Sequence, residues 1–260
     1  MTITSFFYGL VKSVEPVSII DSIIYNTDQD VAKNIFKNAF VSEKNTLQAM
    51  CLFASLSYRY NHLFEETCAK WGLDNNKIYN IDNQLVFCVF SLDNKIVFSF
   101  KGSSDIQDFV NDIDIIETDP ELNIKGMIHK GAYDILFHNN RYLKIIDIIN
   151  DNKDKDIYFS SHSLGALTSS IMFVYIKNNL PDIKLKLITF GSPRCGDFIF
   201  SQQIQSIRIV NGNDLITKLP LPIGYSHCES VMKIGSGVKT CGLRFSVKDH
   251  YIENYFNGLQ

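Results

Sequence analysis

Several features that define other protein classes are missing from this chain of 260 residues. Its six cysteines include no C-x-x-C pair, which disfavours a zinc or thioredoxin-type site. Lysine and arginine form no basic stripe and no polybasic cluster, which disfavours nucleic acid and anionic membranes as partners. No stretch reaches the ~18 uncharged apolar residues that a transmembrane helix needs. Internal repeats and low-complexity linkers are missing as well.

A recognisable secretion signal is also missing. Residues 1–20 lack a basic first segment, and Lys12, Glu15 and Pro16 interrupt their apolar residues. We therefore expect a soluble chain without a cleaved signal and with a cytoplasmic location, export by another route being left open.

What the chain contains is typical of a globular protein, with 45% apolar residues, 20% charged residues and a net charge of −3. Its length suits one large domain or at most two small ones. We expect the cysteines to be scattered buried thiols, because a chain this long and apolar needs no disulfides to form a core.

Apolar spacing indicates an order of helices and strands along the chain. A helical pattern over 42–71 begins at Ser42, a suitable N-cap, and another helix is expected over 131–150. Two apolar runs, Leu85–Phe90 and Ile96–Phe100, flank an Asp-Asn turn and predict a hairpin. The second half is expected to hold strands at 157–159, 185–190 and 207–210, a helix at 164–177 and a short helix at 249–256. Strands that alternate with helices in this way predict an α/β fold with a mostly parallel central sheet and helices on both faces.

The segment with the strongest chemical signal is Ser161-His162-Ser163-Leu164-Gly165, between a predicted strand and a predicted helix. A serine on such a sharp turn exposes its hydroxyl at a helix N-terminus, where backbone N–H groups stabilise an oxyanion. Small residues are needed two positions before and two after the serine. Gly165 meets that need, and Ser161 stands where glycine is usual. The pentapeptide alone is equally consistent with a serine-rich turn in which Ser160 or Ser161 caps the helix.

Blocks on both sides of this segment resemble the class 3 lipases, the fungal-type triacylglycerol lipases. The blocks keep the family's order and run from about residue 85 to residue 256. They are Val97–Ser103, Asp108-Phe109 with Asp112-Ile113, Ile128–Gly131, Thr189–Arg194, Asn211–Pro220, and Tyr225-Ser226-His227 with Asp249-His250. The resemblance implies an α/β-hydrolase fold in a single domain, 1–260, with a mostly helical part at 1–84 and the catalytic core at 85–256.

Three positions depart from the family pattern. Lys101 stands for the usual arginine and lacks its bidentate fork. Ser161 stands for the elbow glycine, and Ala132 stands for an aromatic residue after Gly131. None of these departures removes a catalytic group, but each is expected to affect the catalytic efficiency.

The resemblance and the hydrolase chain order of serine, acid and histidine assign Ser163 as the nucleophile and His250 as the base. His250 follows Asp249 at the start of the predicted C-terminal helix, as in the family's catalytic block. His227 matches a structural histidine of the family and is the alternative base.

Asp214 is the expected acid, because it follows the predicted strand at 207–210 and lies where hydrolase sites form, at the carboxyl end of a strand. Two other acids are kept as alternatives. Asp197 also follows a strand, in the loop beside Pro193, and Asp182 precedes a strand in what is expected to be a solvated turn.

Two oxyanion donors are expected. One is the backbone N–H of Leu164, and the resemblance implies that Ser103 supplies the other through its N–H and hydroxyl. The alternative is that Lys101-Gly102-Ser103 is a plain turn. A triad with this oxyanion hole needs no cofactor and no metal.

The predicted function is hydrolysis of lipid carboxylic esters, above all acylglycerols, through an acyl-enzyme on Ser163. The expected partner is a lipid or another ester, with transient contact to a lipid surface and no nucleic acid. Residues 105–113 form an amphipathic pattern that predicts either a lid or a helix packed permanently on the core. Phospholipase A1, a soluble short-chain carboxylesterase and an inactive hydrolase fold used as a binding module are the alternative functions.

Overall fold

A central sheet organises the computed structural model, which describes residues 27–59, 61–103, 114–228, 230–235 and 245–260. In these residues seven strands form the main sheet in the order β1-β2-β3-β6-β7-β8-β9. The strands are β1 (Asn76–Ile81), β2 (Leu85–Leu92), β3 (Lys95–Phe100), β6 (Asp156–His162), β7 (Leu185–Phe190), β8 (Ser206–Asn211) and β9 (Val231–Ile234). A separate pair, β4 (Ile115–Glu117) and β5 (Met127–His129), is antiparallel.

Four of the six pairings in the main sheet are parallel, from β3 through β9. The two antiparallel pairings join β1, β2 and β3 into a meander, which confirms the predicted hairpin of β2 and β3. Residues 85–90 of β2 are buried without alternation, as expected for a strand covered on both faces.

Helices cover both faces of the sheet and bury two apolar clusters against it. One cluster includes Phe98, Phe159 and Leu167, and the other includes Phe53, Tyr158 and Tyr255. The first face carries α4 (Lys130–Phe137), α5 (Leu143–Asn150) and α6 (Leu164–Asn179). The second face carries α1 (Gln29–Lys37), α2 (Glu43–Leu56), α3 (Asn61–Trp71) and α8 (Ile252–Gly258), and a single turn, α7 (Phe198–Ser201), precedes β8. This arrangement confirms the expected mostly parallel sheet with helices on both faces.

The helical prediction for 131–150 is wrong in one respect, because two helices occupy this stretch. Asn139 and Asn140 both have φ of 55°, in the left-handed region that a continuous right-handed helix excludes. Asparagine adopts this conformation more readily than most residues, and the chain therefore turns between α4 and α5. The pattern over 42–71 likewise divides into two helices, α2 and α3, and Ser42 caps the first by accepting the Asn45 N–H at 3.2 Å.

Parallel strands bring the segments that follow β3, β6, β7 and β8 to one edge of the sheet. These segments begin at Lys101, Ser163, Gly191 and Gly212. Side chains far apart in sequence can therefore meet at this edge, which is where ligands bind in open α/β sheets. None of the described helices is long and apolar enough to cross a lipid bilayer.

Candidate active site

Ser163 lies on a sharp turn between β6 and α6. Its backbone has φ 59° and ψ −130°, a conformation that costs of order 1–3 kcal/mol for a residue other than glycine. The first turn of α6 begins at the next residue, so the serine side chain stands at a helix N-terminus. The geometry is that of the elbow expected from the sequence.

The two small residues around the elbow, Gly165 and Ser161, are needed for different structural reasons. A Cβ at position 165 would overlap the carbonyl of Phe100, so glycine is required there for α6 to approach β3. The Ser161 side chain, in contrast, is fully buried and accepts a hydrogen bond from the Phe100 N–H at 3.2 Å. The serine that replaces the usual glycine is therefore accommodated as an acceptor for the backbone of β3.

His250 lies beside the nucleophile although it is 87 residues later in the chain. Its Nε2 is 2.9 Å from Ser163 Oγ, and its Nδ1 is 2.8 Å from Asp214 Oδ2. An ionised carboxylate only accepts hydrogen bonds, so Nδ1 carries the proton and the Nε2 lone pair faces the serine hydroxyl. This is the tautomer that can take the serine proton.

Asp214 is buried and each of its carboxylate oxygens is occupied. Oδ1 accepts the Ile216 N–H at 2.8 Å, while Oδ2 accepts both His250 Nδ1 and the hydroxyl of Tyr255, the latter at 2.5 Å. Burial, the charge of Asp214 and the hydrogen bond to it raise the pKa of Tyr255, which therefore remains a donor. Sequence analysis did not identify Tyr255, since nothing distinguishes it from the core aromatics of a helix.

A second carboxylate fixes the loop that carries the acid. Asp249 accepts the Asn213 N–H at 2.7 Å, and Asn211 donates its side-chain amide to the Asp249 carbonyl at 3.0 Å. The segments that carry Asp214 and His250 are thus tied directly to each other. This role for Asp249, the residue before the histidine, was also not anticipated.

The alternative base and the two alternative acids lie away from the Ser163 hydroxyl. His227 Nε2 donates to the Thr217 carbonyl at 2.7 Å, and burial with the nearby charge of Arg208 lowers the pKa of His227 to about 3, so it is neutral. Asp197 caps α7 by accepting the Phe200 N–H, and Asp182 is exposed. Within the described residues, neither alternative acid hydrogen-bonds a histidine.

The expected oxyanion donors line one cavity. Leu164 and Ser103 both border a space of about 160 Å³ beside the elbow. Gly102 packs so tightly against the Tyr58 hydroxyl and the His162 carbonyl that a Cβ would overlap both, which fixes the path of the backbone into Ser103. Burial lowers the pKa of Lys101 on the same loop. Residues 105–113, predicted to form either a lid or a helix packed on the core, lie outside the described residues.

The described part of the chain contains no group of three or more His, Cys, Asp or Glu residues placed to hold a metal ion. Its five cysteines, Cys51, Cys68, Cys88, Cys195 and Cys228, are buried free thiols. Burial raises the pKa of Cys51, Cys88 and Cys195, so these thiols are poor nucleophiles. Cys241 lies outside the described residues.

Comparisons with known proteins relate about half of this chain to a family of lipases. The model of the family "Lipase (class 3)" matches residues 97–223. A secreted mono- and diacylglycerol lipase A from Penicillium cyclopium is 25% identical over 140 residues, which cover 51% of this chain and 45% of that protein. A phospholipase A1-IIalpha from Arabidopsis thaliana is 30% identical over 135 residues, 45% of this chain and 31% of that protein. The chain thus spans less than half the length of these curated relatives.

Solved structures show the same fold. A triacylglycerol lipase described as having a serine protease triad at its catalytic centre superposes with a TM-score of 0.63 at 21% identity, over 80% of this chain and 92% of that chain. A Rhizomucor miehei lipase bound to its propeptide gives a TM-score of 0.61 at 22% identity, over 81% of this chain and 75% of that chain. The family match over residues 97–223 and the shared architecture agree: they support assignment to the class 3 lipase family, and the chain has the α/β-hydrolase fold.

Proposed function

We propose that this protein hydrolyses carboxylic esters of lipids, acylglycerols above all, through an acyl-enzyme on Ser163. The observation that carries the proposal is the continuous hydrogen-bonded array from Ser163 through His250 to Asp214. The array ends on Ser163, whose backbone is strained. The fold does not require this strain for stability, and strained backbone conformations are concentrated at functional sites. An inactive binding module would not need the array.

The reaction follows from the geometry in two halves. Ser163 Oγ attacks the ester carbonyl carbon while His250 Nε2 takes the hydroxyl proton, and Asp214 stabilises the resulting imidazolium. The carbonyl oxygen becomes negative and accepts hydrogen bonds from the Leu164 N–H and from Ser103. When the tetrahedral intermediate collapses, the alcohol leaves with the proton from His250. Water then attacks the acyl-enzyme by the same path and releases the fatty acid.

The substrate class rests on the relatives. Relatives from Penicillium and Malassezia are named mono- and diacylglycerol lipases, and the relative from Arabidopsis thaliana is named a phospholipase A1. The fungal relatives named as mono- and diacylglycerol lipases are also named as secreted, so the cytoplasmic location expected from the sequence stays a prediction.

A substrate panel tests the proposal. We expect the wild-type protein to release fatty acid from dioctanoylglycerol and from trioctanoylglycerol faster than from phosphatidylcholine, and to hydrolyse p-nitrophenyl octanoate faster than the acetate. Fatty acid release at constant pH and absorbance of nitrophenol give the rates, with Ser163→Ala as the blank. Preference for the sn-1 ester of the phospholipid would assign phospholipase A1 instead, and preference for the acetate would assign a short-chain esterase. A folded protein that hydrolyses none of these esters would contradict the proposal.

Ser103 provides a test of the oxyanion hole. Ser103→Ala is expected to lower kcat and leave KM nearly unchanged, because the negative charge develops only in the transition state. Loss of one donor typically costs a factor on the order of 10²–10³, and the loss is expected to be smaller here because the backbone N–H remains. Ser103→Thr keeps the hydroxyl and should retain most of the rate.

Ser104→Ala is the control for this experiment, since the resemblance assigns the donor to position 103 and none to its neighbour. Initial rates on one soluble ester, with thermal unfolding measured for each variant, give the comparison. Equal rates in the two alanine variants would make residue 103 an ordinary turn position. A rise in KM alone would make Ser103 a residue of substrate binding.

A further inference from the structure

His162 is a buried histidine that the mechanism above does not use. It is the last residue of β6 and directly precedes Ser163, and only 2% of its surface is exposed. The catalytic assignment made from the sequence gives it no role. Both of its ring nitrogens are nevertheless engaged, and one of them contacts the proposed base.

The hydrogen bonds of His162 define its tautomer. Its Nε2 is 2.7 Å from the backbone carbonyl of His250, and a carbonyl oxygen can only accept, so Nε2 carries the proton. Nδ1 is therefore the acceptor, and the Tyr58 hydroxyl donates to it at 2.8 Å. Burial and the charge of His250 lower the pKa of His162, which stays neutral.

The ring of His162 also limits the position of the His250 ring. The two ring centroids are 4.5 Å apart with an interplanar angle of 33°, so one imidazole partly covers the other. At the Cε1–Nδ1 edge of His250 the backbone of Gly191 passes so closely that a Cβ would lie 2.9 Å from both atoms. The His250 side chain is thus confined by His162 and Gly191.

His250 needs such support because it is not part of the sheet. It stands in a single 3-10 turn, Lys248–His250, whereas Ser163 is fixed by the end of β6 and the start of α6. No ladder of strand hydrogen bonds therefore sets the distance between the two. His162 is adjacent in sequence to the nucleophile and hydrogen-bonds the backbone of the base, and so links the two segments.

We propose that His162 is a positioning residue that holds the backbone and ring of His250 in register with Ser163, and that Tyr58 supports this role by donating a hydrogen bond to His162 Nδ1. The inference rests on the proposed function, because it concerns the same serine and histidine. A displacement of about 1 Å at a reacting group can cost on the order of 10²-fold in rate, so the support should appear in kcat. Substrate binding does not involve this buried contact, and KM should be unaffected.

Three variants test the proposal in the full-length protein. His162→Leu removes both hydrogen bonds and is expected to lower kcat on the order of 10²-fold with KM nearly unchanged. His162→Gln places an amide N–H near the position of Nε2 and should recover most of this loss. Tyr58→Phe removes the donor to His162 Nδ1 and should lower kcat in the wild-type background, but it should have little further effect on His162→Leu, which offers no acceptor.

The measurements are kcat and KM on a soluble ester, the rate of labelling by a fluorophosphonate, and the unfolding temperature of each variant. Folded His162→Leu and Tyr58→Phe proteins with wild-type kcat would overturn the inference. So would a loss in His162→Leu that glutamine does not recover, or an equal effect of Tyr58→Phe in both backgrounds, since those results describe a packing residue. If the wild-type protein is neither labelled nor active, the proposed function fails as well, so the two failures are distinguishable.

Discussion

Ser163→Ala is expected to abolish covalent labelling by a fluorophosphonate and to lower kcat by about 10⁴–10⁶-fold. The serine hydroxyl is the only protein group that lies at hydrogen-bond distance from His250 Nε2 in the described residues. Its loss leaves the oxyanion donors in place, so a small residual rate above the uncatalysed reaction should remain. The backbone strain at this position is unchanged by alanine, and the unfolding temperature should stay close to that of the wild type.

Ser192→Ala is the matched control for this variant. Ser192 is also buried and is the second residue after β7, but its hydroxyl donates to the Pro193 carbonyl at 3.0 Å instead of contacting a histidine. We expect the Ser192→Ala variant to be labelled by the fluorophosphonate at the wild-type rate. Mass spectrometry of the labelled protein identifies the modified residue, and a modification at Ser192 or Ser103 would reject the assignment of the nucleophile.

The elbow and the sheet could be predicted from the sequence because their signals are local. A strand that ends in a serine flanked by small residues, followed by an apolar helix, occupies a single stretch of the chain. The burial of Leu85–Phe90 on both faces of the sheet likewise follows from an uninterrupted apolar run. The edge strands β1 and β9 were missed, because short, half-buried strands leave little periodicity to detect.

The residues that support the site could not be found in this way. Tyr255 is 41 residues from Asp214, and Tyr58 is 104 residues from His162. Each lies in or beside a helix whose other aromatic residues pack in the core, and sequence spacing does not separate a hydrogen-bonding tyrosine from a packing one. The assignment of Ser163, Asp214 and His250 combined the local elbow pattern at Ser163 and the strand end before Asp214 with the ordered family blocks.

His250→Ala is expected to reduce kcat as strongly as Ser163→Ala, because a serine hydroxyl without a base is a weak nucleophile. Removal of the ring leaves Asp214 bonded to Tyr255 and to the Ile216 N–H, so the carboxylate does not become an unpaired buried charge. The fold should therefore persist. His227→Gln is the control, since glutamine can still donate to the Thr217 carbonyl. If His227→Gln abolished turnover in a folded protein while His250→Ala did not, the base would be misassigned.

Asp214→Asn completes the test of the acid–base pair. An amide keeps the shape of the carboxylate, but it cannot stabilise an imidazolium and can hold His250 in the wrong tautomer, with its Nε2 proton facing Ser163. Loss of kcat on the order of 10⁴-fold is expected, with KM nearly unchanged. Asp197→Asn is the matched control, because Asp197 also follows a strand but caps α7, where asparagine serves equally well. Steady-state rates and unfolding curves of both variants, measured on one soluble ester, decide the matter. Full activity of a folded Asp214→Asn protein, or a comparable loss in Asp197→Asn, would show that the buried contact between Asp214 and His250 does not orient the base.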